Sequence, residues 1–209
     1  MSLFDDIALI IFTCCFTIFI STFFYYLRKK ERPSKYNVFK LIYDNWVKSR
    51  LDQESPLTGV QALRNFLMGN STFISSLFIL IGILTGFFEN ISQNGELLFN
   101  IPGLSLGIIK FSLTIIMLIF CLFNFILSIR YATRLSILIT GKPRDFSIGD
   151  IKGFKLTKQT LVKAQNHWML GIRSLFYLAT SFFWYINSIL FIIVSIIITA
   201  YLFISHDVI

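Results

Sequence analysis

Few residues in this sequence could take part in catalysis or ligand chemistry. The two histidines, His167 and His206, lie far apart in the chain, and no H-E-x-x-H, P-loop, G-x-S-x-G or dinucleotide-binding motif occurs. The three cysteines, Cys14, Cys15 and Cys121, lie in apolar runs and show no metal-ligand spacing. The sequence therefore predicts no enzyme activity, no catalytic residue, no metal site and no cofactor.

Neutral polar side chains within apolar runs are the remaining candidates. Their hydroxyls and amides could bond to neighbouring helices, or they could line a narrow pore formed by several subunits. For each residue taken singly, hydrogen bonding between helices is the favoured interpretation. The residues in question are Thr13, Thr17, Ser75, Asn124 and Asn187.

Composition indicates the solvent in which these side chains lie. Of 209 residues, 55% are hydrophobic and only 14% are charged, and the mean hydropathy is +0.71. A soluble domain carries about 25% charged residues, so this chain has too little polar surface to cover a globule in water. The sequence predicts an all-α integral membrane helical bundle, forming one membrane domain over residues 1–209.

Four apolar runs are long enough to cross a bilayer, which takes roughly 20 residues per helix. The last of them lies in an uncharged run, 174–205, that is longer than the hydrocarbon core requires. Part of that run should therefore tilt, enter the interface or pack against other protein. The predicted spans are about 7–27, 68–88, 110–130 and 180–204.

The basic residues predict the orientation. Segments 28–71 and 130–173 hold 18 of the 19 Lys and Arg residues, whereas the connection 89–107 holds none. Positive residues stay on the cytoplasmic side during insertion. The sequence thus predicts a multi-pass protein of the cell membrane, with cytoplasmic segments 28–67 and 131–175 and both termini extracytoplasmic.

Both cytoplasmic segments are patterned as amphipathic helices lying between spans 1–2 and 3–4. Ser55-Pro56 is typical of a helix start, and that helix should continue into the second span. The third span should continue to about Ile139 before Gly141 and Pro143 end it. The apolar side of the first segment comprises Tyr36, Phe39, Ile42, Tyr43, Trp46 and Val47. That of the second comprises Leu161, Val162, Gln165, Trp168, Met169 and Ile172.

Basic residues next to the spans are expected to contact anionic lipid headgroups, because the cytoplasmic leaflet is negatively charged. Arg130 and Arg134 fall one helical turn apart on the same face, which suits either a headgroup or another phosphate. The predicted headgroup contacts are Arg28, Lys29, Lys30, Arg130 and Arg134.

Two short motifs resemble a known family. Gln61-Ala62-Leu63-Arg64-Asn65, just before the second span, resembles the Q-x-x-R-N signature of the membrane family called domain of unknown function 599. Asn166, Gly171-Ile172-Arg173, Phe176-Tyr177 and Trp184 are similar to that family's approach to its last span. The family has a proline shortly after this tryptophan, where this chain has Tyr185-Ile186-Asn187. The resemblance covers about residues 35–203 and implies several membrane spans, but no activity.

The polar residues of these motifs form a further predicted site. They lie near the cytoplasmic ends of the second and fourth spans, so they could meet in one cluster. Such a cluster could clamp the cytoplasmic helices to the spans, or it could bind an anion or a lipid headgroup. Its members are Gln61, Arg64, Asn65, Asn166 and Arg173.

Two functions remain open at this point. The first is an oligomeric ion channel or uncoupled transport protein. Ion-coupled carriers usually have ionisable side chains deep in the membrane. No such side chain lies near the middle of any predicted span, which counts against a coupled carrier. The alternative is a non-transporting scaffold or accessory subunit that binds anionic lipid or a protein through its basic cytoplasmic helices. The expected partners are the bilayer, anionic headgroups and further copies of the chain. The net charge of +8 indicates attraction to anionic lipid rather than binding of nucleic acid.

Overall fold

A computed structural model of the chain describes residues 2–28, 35–51, 57–89, 105–141, 147–148 and 151–207. Within these residues the chain folds into six helices and one short β-ladder. The helices are α1 (Ser2–Arg28), α2 (Lys35–Leu51), α3 (Leu57–Gly86), α4 (Leu106–Thr140), α5 (Gly153–Ile186) and α6 (Ser188–Asp207). Strand β1 (Ser147–Ile148) pairs antiparallel with β2 (Ile151–Lys152), so that Ser147 lies opposite Lys152.

Four of the helices are long and apolar enough to cross a membrane, which confirms the predicted all-α membrane bundle. These stretches are Leu3–Tyr25, Leu57–Gly86, Leu106–Thr140 and Gly153–Ile186. Helices suit this solvent because they satisfy their own backbone hydrogen bonds, which lipid cannot do. As predicted, the helix that contains the second span begins well before residue 68, and the helix that contains the third span extends to Thr140. Ser55 and Pro56, the predicted helix start, lie outside the described residues.

The chain divides into two compact units. Unit 1 comprises Met1–Lys35, Leu77–Cys121 and Ile172–Ile209, and unit 2 comprises Tyr36–Ser76 and Leu122–Gly171. Helices α3, α4 and α5 each contribute residues to both units. The prediction of a single domain over 1–209 therefore stays a prediction, because the division falls within continuous helices.

Aromatic side chains form the core of unit 1. Phe191 stacks on Phe12 at 5.1 Å and on Trp184 at 5.0 Å between ring centroids. Tyr177 meets the edge of Phe12 and shares a hydrogen bond of 2.9 Å with the hydroxyl of Thr199. Pairing this phenol matters because an unpaired buried hydroxyl would cost roughly 1–3 kcal/mol. These contacts join α1, α5 and α6.

The fourth predicted span, 180–204, is not one helix. Helix α5 ends at Ile186 and α6 begins at Ser188, with Asn187 between them. The Asn187 side chain accepts hydrogen bonds from the backbone N–H groups of Ile189 (2.8 Å) and Leu190 (3.3 Å). This is the N-cap arrangement, which satisfies donors that the first turn of a helix leaves unpaired. The excess length of the uncharged run is therefore used to start a second helix.

The α5–α6 break reverses the chain, so α6 runs alongside α1 in the same direction. Asp5, near the start of α1, bonds to Ser188 at the start of α6. Phe19, further along α1, lines a small cavity together with Leu202, near the end of α6. The first residues of α1 and the last residues of α6 therefore lie at opposite ends of unit 1. The prediction that both termini are extracytoplasmic stays a prediction, which the parallel course of α1 and α6 does not favour.

Unit 2 has an aliphatic core to which four helices contribute. Its fully packed members come from α2, α3, α4 and α5 and are Val47, Leu63, Leu135, Ile139 and Leu161. Tyr43, Trp46 and Phe154 pack against them. The hydroxyl of Ser128 on α4 donates to the carbonyl oxygen of Ala164 on α5 at 3.0 Å, which fixes these two helices side by side.

The predicted apolar side of α2 is only partly buried. Val47 is fully buried and Trp46 is half-buried, as expected, but Phe39 and Ile42 are exposed. The side chain of Tyr36 lies outside the described residues. Exposed apolar residues on a basic helix are typical of a segment that contacts lipid at the interface. In the second segment Leu161 is buried, and Val162, Gln165, Trp168, Met169 and Ile172 are half-buried.

Gly171 is the glycine whose lack of a side chain the packing requires. A Cβ at this position would lie 3.0–3.2 Å from three carbons of the Phe125 ring. That ring is itself held by Phe73, which stacks on it at 5.1 Å with an angle of 10°. Any larger residue at position 171 would have to displace this pair.

We expect Gly171→Val to destabilise the protein by about 2 kcal/mol, because overpacking a filled core typically costs 1–3 kcal/mol. Gly69→Val is the matched control, since a Cβ at Gly69 would meet nothing within 4 Å. Thermal unfolding in detergent should show a lower midpoint for the first variant than for the second. Equal midpoints would show that the ring pair can move aside.

The course of α6 predicts that the two ends of the chain face opposite sides of the membrane. Epitope tags fused before Met1 and after Ile209 should therefore differ in accessibility to protease in sealed vesicles of one orientation. Vesicles of the reverse orientation provide the control, and there the two tags should exchange behaviour. Digestion of both tags in the same vesicles would contradict the parallel arrangement of α1 and α6.

Candidate functional site

A buried carboxylate lies at one end of unit 1. Asp5 lies near the start of α1 and is only 4% exposed. Its Oδ1 accepts a hydrogen bond from the indole Nε1 of Trp184 at 2.9 Å and a short one from the hydroxyl of Ser188. The three residues belong to α1, α5 and α6, so one carboxylate connects three helices.

Lys110 on α4 neutralises this carboxylate. Its Nζ lies 3.4 Å from Asp5 Oδ1 and 5.4 Å from the centre of the Trp184 ring. The aromatic face adds a cation–π attraction to the ion pair. A lysine at the edge of a span, such as the predicted span 110–130, could extend its side chain towards water. Instead, the side chain of Lys110 is only 16% exposed and is directed to Asp5.

A cavity of about 250 Å³ opens beside this ion pair. It contains both charged groups together with amide and hydroxyl groups from the α5–α6 break. The lining residues are Phe4, Asp5, Leu106, Lys110, Trp184, Tyr185, Ile186, Asn187, Ser188 and Ile189. Opposite charges, hydrogen-bonding groups and aromatic rings thus surround one space in unit 1.

Unit 2 contains a second, apolar pocket of about 320 Å³. It lies among α2, α3 and α5, and Gln165 contributes an uncharged amide to its lining. The other lining residues are Ile42, Tyr43, Trp46, Ala62, Leu63, Phe66 and Leu161. A space of this size and composition suits a hydrocarbon chain better than a polar metabolite.

Cations hold the helices around the apolar pocket. Lys158 on α5 forms an ion pair with Asp44 on α2 at 2.8 Å, and Lys48 lies 3.9 Å from the same carboxylate. Arg50 donates to the hydroxyl of Thr58 at 2.9 Å and lies over the ring of Trp46 at 5.9 Å. The contact with Arg50 holds Trp46, which lines the pocket.

A cluster of polar and aromatic side chains surrounds His167 elsewhere in unit 2. Asn124 Oδ1 and His167 Nδ1 are 3.1 Å apart, and the imidazole stacks on Tyr131 at 5.6 Å with an angle of 10°. The ammonium of Lys163 lies 5.7 Å from the same tyrosine ring. Asn124 is 3% exposed, and its contact with His167 joins α4 and α5 within one chain. For this residue the geometry favours the interhelical interpretation over pore lining.

The other candidates for a pore have different surroundings. Thr13, Thr17 and Ser75 are exposed on the single chain, and the hydroxyl of Thr13 donates to the carbonyl of Leu9 within its own helix. Asn187 is also exposed and caps α6. Their participation in a pore between subunits stays a prediction.

The polar cluster predicted from the family motifs is distributed over both units. Gln61, Arg64 and Asn65 are exposed and Asn166 is half-buried, all in unit 2. Arg173 belongs to unit 1, where its guanidinium lies 5.8 Å from the centre of the Phe23 ring. The grouping of these five residues therefore stays a prediction.

The predicted headgroup contacts are only partly within the described chain. Arg130 and Arg134 are exposed on α4, which leaves their guanidinium groups accessible to an anion. The side chain of Arg28, together with Lys29 and Lys30, lies outside the described residues. Binding of lipid by these residues stays a prediction.

Comparison with known proteins gives one match. A family model described as "Protein of unknown function, DUF599" matches residues 7–208. The chain belongs to this family. The resemblance predicted from the two motifs is thereby confirmed, and the match extends beyond them in both directions. Searches of curated proteins and of solved structures found no match to this DUF599 chain.

The DUF599 family supplies no activity, so the site must be judged from its chemistry. Within the described residues, no group of three or more His, Cys, Asp or Glu could hold a metal ion. The predicted absence of a catalytic residue, metal and cofactor is not tested by this and stays a prediction. The two cavities are the features of this DUF599 protein to which a ligand hypothesis can be tied.

Sequence reasoning missed the Asp5–Lys110 site, although a signal was present. In the sequence, Asp5 lies near the beginning of the chain and Lys110 lies at the edge of the predicted third span, 110–130. Both, however, lie at the start of a membrane helix, in α1 and α4, and they have opposite charge. A Trp and a Ser four residues apart, at 184 and 188, supply the two neutral donors.

The ion pair predicts strongly non-additive mutations. Asp5→Leu should destabilise the protein by about 3 kcal/mol or more, because it leaves Lys110 charged and unpaired in a buried place. Lys110→Met should cost a similar amount. The double variant should recover part of the loss, as measured by a double-mutant cycle on unfolding midpoints in detergent. Additive losses would show that the two charges act independently.

Proposed function

We propose that this protein is a non-transporting membrane scaffold or accessory subunit that binds anionic lipid through its basic cytoplasmic helices. The supporting observation is the apolar pocket among α2, α3 and α5. It is large enough for part of an acyl chain, and the sequence around it is rich in cations. A pocket of this kind retains a lipid without requiring a path across the membrane.

Charge complementarity supports an anionic lipid as the ligand. The helices that line the pocket carry the exposed cations Lys48, Arg64 and Lys163, whereas Asp44 is already paired with Lys158. An anionic headgroup beside the pocket would gain about 1 kcal/mol for each Lys or Arg close to the surface. The acyl chain would at the same time bury apolar surface, which stabilises by roughly 25 cal/mol per Å².

Exposed apolar residues of α2 support the same location. Leu41 is 64% exposed and Ile42 is 51% exposed, although both lie on a helix with Lys40 and Lys48. A basic helix with such residues lies favourably at the boundary between headgroups and acyl chains. By the positive-inside rule this boundary is the cytoplasmic one. With the parallel course of α1 and α6, we propose an extracytoplasmic N-terminus and a cytoplasmic C-terminus.

A channel is the competing proposal, and one observation favours it. The hydroxyl residues Thr13, Thr17 and Ser75 are exposed on the single chain, so several copies could bring them together around a pore. Against it, Asn124, one of the two asparagines among the predicted pore residues, is buried and its side chain contacts His167 of the same chain. We therefore rank lipid binding first, and we treat self-association as a proposal common to both functions.

Quenching of Trp46 by brominated lipid tests the proposal directly. We expect brominated phosphatidylglycerol to quench the wild-type protein more than Trp46→Phe, and more than brominated phosphatidylcholine does. Ala62 lines the pocket, so Ala62→Phe should fill it. In that variant the two brominated lipids should quench Trp46 equally. Ala179→Phe, which adds the same bulk at an exposed site on α5, should leave the quenching unchanged.

Two results would contradict lipid binding at this pocket. One is equal quenching of wild type and Trp46→Phe by the anionic lipid. The other is ion flux in proteoliposomes above the protein-free level that Thr17→Val alters, which would support the channel instead. We expect no such flux.

A further inference from the structure

We propose that the cavity beside Asp5 and Lys110 binds a zwitterion, in which an ammonium group is joined by a short linker to a phosphate or carboxylate. The cavity belongs to unit 1, and the apolar pocket of the proposed function belongs to unit 2. The inference therefore goes beyond the proposed function and does not depend on it.

The ion pair has hydrogen-bonding capacity left for such a ligand. Trp184, Ser188 and Lys110 all contact the same oxygen of Asp5, Oδ1. These contacts leave the other oxygen, Oδ2, unused, and Asp5 lines the cavity, so we place the ligand's ammonium at Oδ2. A lysine ammonium has three donors, so Lys110 can hold Asp5 with one of them and an anionic group with the others.

Asn187 supplies the third polar group of the site. Its side-chain oxygen is engaged by the first turn of α6, at 2.8 Å from the N–H of Ile189. An amide also has two N–H donors on its nitrogen, and Asn187 is exposed at the cavity lining. The anionic end of the ligand thus fits between Lys110 and Asn187, and its ammonium fits at Asp5.

The balance of charge selects a zwitterion over an ion of one sign. An anion alone would meet the Asp5 carboxylate, and a cation alone would meet the Lys110 ammonium, so each would be repelled by one member of the pair. A ligand that carries both charges replaces these repulsions with two attractions. The cavity, about 250 Å³, is slightly below the roughly 300–1,000 Å³ of sites for drug-sized molecules, so a headgroup-sized molecule suits it.

Apolar residues around the cavity indicate where the ligand comes from. Phe4 is 52% exposed, Ile189 is 52% exposed and Ile186 is 74% exposed, and all three line the cavity. In a membrane helix such residues face lipid, and Trp and Tyr next to them are typical of the headgroup level. Phosphatidylethanolamine and a water-soluble zwitterion such as phosphoethanolamine share the required chemistry. The exposed apolar lining favours the lipid as the source.

Trp184 is a natural reporter, because its indole bonds to Asp5 at the cavity. The chain has three tryptophans, and Trp46→Phe with Trp168→Phe leaves Trp184 as the single emitter. This full-length variant, purified in detergent, is titrated separately with phosphoethanolamine and with phosphatidylethanolamine in mixed micelles. Inorganic phosphate, ethanolamine and phosphatidylglycerol are the controls, because each carries charge of one sign only. We expect a saturable change in emission with a zwitterion and none with the controls at the same concentrations.

A substitution that preserves the fold tests the contact itself. Asn187→Asp keeps the capping oxygen, since Asp and Asn are equally good N-caps, but it places a carboxylate where the anionic group would bind. Loss of the amide donors and the new repulsion should weaken binding at least about tenfold. Asn45→Asp makes the same change at an exposed site on α2 and should leave the affinity unchanged.

The outcomes separate the sources and can overturn the inference. A response to phosphatidylethanolamine alone assigns the site to lipid, a response to phosphoethanolamine alone assigns it to a soluble ligand, and both results support the zwitterion. The inference fails if no zwitterion gives a saturable change, or if phosphate or ethanolamine alone gives the same change. It also fails if Asn187→Asp binds as tightly as the parent. Because the readout is Trp184, failure here leaves the Trp46 experiment on the other pocket unaffected.

Discussion

A charge buried at the end of an apolar helix must be neutralised by protein, because burial removes most of its contact with water. In unit 1 this requirement falls on Asp5, and three other side chains meet it: Lys110, Trp184 and Ser188. The four residues belong to α1, α4, α5 and α6. Each helix is thereby fixed at this end by one shared acceptor, and removal of the carboxylate would leave three donors without their partner.

The aromatic core extends this constraint along the helices. Trp184 donates to Asp5 through its nitrogen and stacks on Phe191 through its face, and Phe191 in turn stacks on Phe12. Trp184 therefore takes part in both the polar contact and the apolar packing, so loss of one should weaken the other. Unit 2 is organised differently, since its ion pair, Asp44–Lys158, lies beside an aliphatic core and an apolar pocket.

Much of the fold was predictable because it follows from long apolar runs. Three of the four spans, the extension of the third past the membrane and the helix over Lys35–Leu51 required only hydropathy and periodicity. The site was less predictable because it depends on pairs distant in sequence, such as Asp5 with Lys110 and Asn124 with His167. Nothing local to either member of such a pair indicates its partner. Hydropathy also cannot separate one long tilted helix from two helices with a cap between them.

The break at Asn187 shows how a small local signal changes the whole topology. A proline would have marked the end of α5 clearly, but here an asparagine ends one helix and caps the next through two backbone N–H groups. Asparagine is among the best N-cap residues, yet within an uncharged run of this length it also reads as an ordinary membrane-helix residue. At this break the chain reverses, so α6 lies alongside α1 and Ser188 contacts Asp5. The same side chain that starts α6 thus completes the lining of the charged cavity, so topology and candidate site depend on one residue.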